Sequence, residues 1–180
     1  MKKIFLIIAI IMLSTNGFYA QTLKFGLKAG LNYANVSGSN VQTDAITSYH
    51  VGVISEIKVM DKFSIQPELI YSTQGATYKT ILQDYKNELG YISIPVLAKI
   101  YLSDSFSLEL GPQASFLLNE KNNFSVQDSK TFDFAVNGGL SYKITKNFFV
   151  SGRYGLGLTE IKTNSNIKNS VLQVSAGFLF

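Results

Sequence analysis

The sequence predicts an all-β protein, an eight-stranded antiparallel up-and-down barrel. Three observations carry this. Apolar and polar residues alternate with a period of two over most of the chain. The alternating runs are joined in turn by short turns and long polar segments. All strand-borne charges fall on a single parity. The 180 residues contain no cysteine, three prolines and fourteen glycines, a length that suits one domain and a composition that excludes a disulfide framework and thiolate chemistry.

The first strand covers 24–36, where Phe25, Leu27, Ala29, Leu31 and Tyr33 alternate with Lys24, Gly26, Lys28, Gly30 and Asn32, the pattern of a strand with one apolar face. The second sets Tyr49, Val51, Val53, Ile57 and Val59 against His50, Gly52, Glu56 and Lys58. The third sets Phe63, Ile65, Leu69 and Tyr71 against Ser64, Gln66, Glu68 and Ser72. Five more runs follow at 92–102, 106–116, 132–144, 148–158 and 170–180. Short turns at Met60-Asp61-Lys62, Ser103-Asp104-Ser105 and Thr145-Lys146-Asn147 predict hairpins. Long polar segments at 37–46, 75–90, 118–131 and 159–169 predict loops. Asp61, Asp104 and Asn147 recur every 43 residues, as do Phe63, Phe106 and Phe149. A propeller blade would need four strands in such a period, and here there are two.

Residues 1–20 read as a cleaved secretory signal peptide: Lys2 and Lys3 precede an apolar run from Ile4 to Leu13, then a short polar stretch. Ten apolar residues at ~1.5 Å each reach only about half of the ~30 Å hydrocarbon core. Cleavage after Ala20 leaves 21–180 as the barrel domain. Discounting the two leader lysines lowers the net charge from +4 to +2, so the basic pI gives no reason to expect a nucleic-acid partner.

Alternation alone permits a soluble, lipocalin-like ligand-binding barrel with the apolar face inside, or a transmembrane barrel with that face on lipid. Volume separates them. The apolar parity carries roughly thirty-five large side chains, whereas an eight-stranded barrel has room inside for only an ordinary filling. The polar parity holds most strand glycines together with Lys24, Lys28, Glu56, Lys58, Glu68, Lys99, Glu109, Asp133, Lys143 and Arg153. A charge facing lipid costs about 2–4 kcal/mol at the midplane, so these are expected to form a charge network inside a lumen. Phe25, Phe63, Phe106, Phe148, Phe178 and Phe180 near the short turns and termini, and Tyr33, Tyr49, Tyr71 and Phe116 near the long segments, predict two aromatic girdles.

These residues resemble the small outer-membrane β-barrel family of Bacteroidetes, often called "porin family" and related in architecture to the OmpX and OmpA barrels. The carriers are Phe25-Gly26-Leu27-Lys28-Ala29-Gly30-Leu31-Asn32, Gln66-Pro67-Glu68-Leu69, Ile94-Pro95, Gly111-Pro112, Gly138-Gly139-Leu140-Ser141-Tyr142 and Arg153-Tyr154-Gly155-Leu156-Gly157-Leu158. The resemblance implies residence in the outer membrane of a Gram-negative bacterium, with outer-membrane lipids around the barrel. The last strand, ending in Phe178-Leu179-Phe180, is similar to the assembly signal read by the barrel-assembly machinery.

Chemistry is sparse. His50 is the single histidine and has no serine or carboxylate tied to it by a recognisable motif, so it reads as structural. Gly155-Leu156-Gly157 opens no helix, which removes a phosphate-cradling loop. No metal-ligand spacing is visible, and no catalytic residue or cofactor is assigned. With periplasmic termini, all four long loops face outward, where an extracellular partner would bind. The expected role is structural or loop-mediated binding; a narrow channel for ions or small solutes through the charged lumen is the alternative.

Overall fold

A computed structural model describes residues 23–37, 43–79, 84–122, 132–159 and 168–180. The signal-peptide reading and its cleavage point lie outside the described residues. Among these, eight strands follow one another: β1 Leu23–Ser37, β2 Thr43–Met60, β3 Phe63–Lys79, β4 Asp84–Tyr101, β5 Phe106–Asn122, β6 Phe132–Lys143, β7 Phe148–Gly157 and β8 Lys168–Leu179. Each pairs antiparallel with its neighbour, and β8 pairs back onto β1, closing the barrel. No described helix is long and apolar enough to cross a membrane; strands do the spanning here.

The faces are those predicted. Leu27, Leu31, Val53, Leu69, Val96, Leu110, Leu140, Leu156 and Val174 stand exposed around the outside, while Lys28, Gln66, Lys99, Glu109 and Arg153 are buried within. This inversion of a soluble protein is stable only where the solvent outside is lipid. Aromatic residues cover the outer face at both ends. Phe25, Phe148, Phe178 and Phe180 stand near the short turns. Towards the long connections the Tyr49 and Tyr71 rings lie 6.3 Å apart, and those of Phe116 and Phe132 5.4 Å apart.

Two expectations are corrected. Part of each segment predicted as a loop at 37–46, 75–90 and 118–131 is strand: β2 begins at Thr43, β3 runs to Lys79, β4 starts at Asp84 and β5 reaches Asn122. The ladder is continuous there, with Gly75 opposite Glu88, Thr77 opposite Lys86 and Lys79 opposite Asp84. Backbone pairing needs no apolar alternation, so the hydrogen bonding continues where the period-two signal has faded. Strands β2–β5 have 17–18 residues, well over the roughly 9–11 that cross a membrane.

The second correction concerns the 43-residue repeat, which does not keep face. Phe149 points inward and is buried, whereas Phe148 is the outward residue. The turns explain the slip. Ser103 Oγ accepts the Phe106 amide at 3.1 Å, and Thr145 Oγ1 accepts the Phe148 amide at 2.9 Å. Equivalent turn positions are therefore Ser103 and Thr145, one residue short of the apparent period.

Candidate functional site

The centre of the barrel is a charge network assembled from six strands. Arg153 comes from β7 and Glu68 from β3, four strands apart either way round, so their contact crosses the bore. It is bidentate: Nη1 donates to Oε2 at 2.9 Å and Nη2 to Oε1 at 2.8 Å. This fork geometry is what arginine offers and lysine lacks. The same Nη2 reaches Glu109 Oε2 on β5 at 2.9 Å. Lys28 on β1 adds a contact to Glu68 at 3.5 Å.

Lys99 on β4 continues the network, lying 3.6 Å from Glu109 and 3.4 Å from Glu56 on β2. It donates to Gln66 Oε1 at 3.0 Å, and Gln66 in turn donates to Glu68 Oε1 at 2.7 Å. Glu56 is closed off by the Tyr101 hydroxyl at 2.5 Å, and the Phe149 ring sits 5.2 Å from the Lys99 ammonium. Lys28, Lys99 and Arg153 thus balance Glu56, Glu68 and Glu109. Isolated charges inside a low-dielectric bore are costly, and mutual pairing with added hydrogen bonds offsets that cost.

Of the ten residues expected in a lumen network, these six meet. The other four are placed differently, Lys24 lining the cavity at the short-turn mouth. Lys58 lies at the short-turn rim, where it pairs with Asp61 at 3.4 Å, the two side chains 45% and 102% exposed. Lys143 is half-buried and leans over the Tyr101 ring, its ammonium 4.3 Å from the centroid. Asp133 is buried toward the other end and accepts a hydrogen bond from the Thr159 hydroxyl. Parity puts a residue inside but does not set its height along the bore. Phe178 and Phe180 stand exposed on the outer face, and the Phe180 amide donates to Phe25 O at 2.8 Å.

Next to the charge network lies a neutral layer that the sequence did not reveal. His50 Nδ1 is 2.7 Å from Asn32 Oδ1, and His50 Nε2 is 2.8 Å from Ser175 Oγ. An amide oxygen only accepts, so Nδ1 carries the proton and, in the neutral ring, Nε2 accepts from the serine. Asn32 Nδ2 donates to Thr73 O at 2.8 Å and Ser72 Oγ at 3.0 Å, and Gln173 donates to Asn32 Oδ1 at 3.1 Å. Gly30 makes this possible. It lies opposite His50 on β2 and opposite Ser175 on β8, and a Cβ there would come within 2.7 Å of the imidazole. The signal was present as the shared parity of Asn32, His50 and Ser175; the register that joins them was not.

A serine, a histidine and a third polar side chain linked in this order resemble the relay that activates a nucleophile in an open cleft, though there the third member of a serine relay is a carboxylate. Here all three are buried, and the barrel's larger described cavity is lined by other residues. The arrangement fixes the imidazole and ties β1, β2, β3 and β8 together. Among the described residues no group of three or more His, Cys, Asp or Glu could hold a metal ion.

A closed, lipid-facing barrel with a polar, charge-filled interior defines a small outer-membrane β-barrel protein. The chain belongs to the outer membrane protein beta-barrel domain family, whose model matches residues 19–163, and this places it in the outer membrane of a Gram-negative bacterium. No curated protein matches it in sequence. Similar solved structures share its fold at low identity. Ail, the attachment invasion locus protein of Yersinia pestis, is 12% identical with a TM-score of 0.58, covering 87% of this chain and 98% of that one. Neisserial surface protein A is 16% identical with a TM-score of 0.58, over 87% and 97%. OprG from Pseudomonas aeruginosa is 14% identical with a TM-score of 0.54, over 89% and 97%.

Proposed function

We propose that this protein is a non-conducting barrel that works at its long-loop end, presenting a projecting sheet and loops to a partner outside the cell while its termini and short turns face the periplasm. The observation that carries this reading is the unequal height of the wall among the described residues. Past Tyr71, β3 continues for eight residues to Lys79, roughly 25 Å at ~3.3 Å per residue. In the described residues β5 beyond Phe116 pairs with β4 alone, and Thr43–Ala45 of β2 pair with β3 alone. Edges of this kind, among the described residues, present a backbone with which an extended peptide can pair. The likeness in fold to Ail, an attachment and invasion protein that has also been solved with the heparin analogue sucrose octasulfate, supports a surface-binding role without naming the partner.

The neutralised charge network supports a closed bore over a conduit, because an ion would have to break several buried pairs to pass. No catalytic step is assigned. Phe178 and Phe180 at the end of the closing strand suit recognition by the barrel-assembly machinery. An epitope inserted within residues 80–83 tests the arrangement: antibody should label intact cells there and should not label an epitope at Asp104. Labelling only at Asp104 would invert the topology. Stepwise conductance of the purified protein in planar bilayers would overturn the closed bore.

A further inference from the structure

The short-turn mouth of the barrel opens into a cavity of about 330 Å³. Four lysines line it: Lys24, Lys58, Lys62 and Lys143. Three carboxylates also border it, one fewer than the lysines. Glu56 is held by Tyr101 at 2.5 Å and by Lys99 at 3.4 Å. Asp61 pairs with Lys58, and Asp104 stands exposed on its turn. Lys24 and Lys143, from β1 and β6, have no carboxylate within ion-pair distance among the described residues. Lys143 is attracted by Glu56, which it shares with Lys99, and repelled by Lys99, Lys24 and Lys58. The centre of the bore matches its charges one to one, whereas its mouth leaves cations in excess around a cavity.

From this imbalance we infer that the mouth binds a phosphate group. Lysine acts on phosphate as a point charge that can approach from several walls, and Lys24, Lys58 and Lys143 enter from three strands. Tyr101 and Leu102 supply an apolar border beside the lysines, suited to the carbon atoms of a phosphate ester. Outside the same rim Phe25, Phe148, Phe178 and Phe180 face lipid, which sets the mouth at headgroup height. The phosphate can thus come from a phospholipid headgroup or from a soluble phosphate compound. Neither source depends on which compartment the mouth faces.

The test uses the full barrel. Inorganic pyrophosphate is titrated calorimetrically into protein in zwitterionic micelles, and lipids retained from mixed phosphatidylcholine–phosphatidylglycerol nanodiscs are identified by native mass spectrometry. The combined Lys24→Gln, Lys58→Gln, Lys143→Gln variant should weaken pyrophosphate binding or lipid retention by roughly tenfold or more, while Lys168→Gln at the far end leaves both unchanged. Lysine-dependent pyrophosphate binding identifies a soluble source; lysine-dependent enrichment of phosphatidylglycerol alone identifies a headgroup. Absence of both, or binding that survives the triple variant, overturns the site. Heat-modifiable migration on gels verifies folding, and Lys24→Gln and Lys143→Gln singly read the same effect in smaller steps should the triple variant fail to fold.

Discussion

Two neighbouring levels of the bore are held by different means. The charge network reaches across it, Arg153 on β7 gripping Glu68 on β3. The His50 layer is neutral and links β8, β1, β2 and β3 around one side of the wall. Long charged side chains can bridge opposite walls, and the bidentate fork makes the bridge specific. Short polar side chains reach only adjacent or next-adjacent strands, and Gly30 shortens even that distance. The first level fixes the cross-section of the barrel, and the second fixes strand register near its seam.

The largest break in this comparison is Arg153→Leu, which leaves Glu68 and Glu109 facing one another without their shared cation. It should cost about 3–5 kcal/mol in urea unfolding from lipid vesicles. Adding Glu68→Leu, Glu109→Leu and Lys28→Leu, which leaves Lys99 paired with Glu56, should recover much of that loss, because an apolar filling needs no partner; a quadruple variant as unstable as the single one would show that the pairing is not the source of the cost. Asn32→Leu should lose about 1–3 kcal/mol, because the buried His50 Nδ1–H loses its acceptor. Its effect should also survive in the Arg153→Leu background, the two adding if the levels are independent. Lys58→Gln sharpens the contrast from the other side: its partner Asp61 is fully exposed, so no change in the unfolding midpoint is expected.

The alternation made the barrel, its strand number and its inside-out polarity legible, since lipid enforces one parity wherever it touches the wall. It lost track where lipid ends, which is why β3 and β4 are far longer than the apolar pattern suggested. Parity likewise placed Lys28, Glu56, Glu68, Lys99, Glu109 and Arg153 inside but carried no height, so Lys24, Lys58, Lys143 and Asp133 entered the same expectation. Gln66, Tyr101, Asn32 and Ser175 went unread because their roles arise from cross-strand register. Gly30 opposite both His50 and Ser175 is a fact of pairing, and bulges such as those near Lys58 and Gly90 shift that pairing locally.

The seam between β8 and β1 joins the end of the domain to its beginning, with twelve residue pairs. Arg153 and Glu68 are 85 residues apart in sequence, and Ser175 and His50 are 125 apart. Partners this distant meet only when opposite walls, or the two sides of the seam, face one another, so the polar filling belongs to the closed ring and to no single hairpin within it.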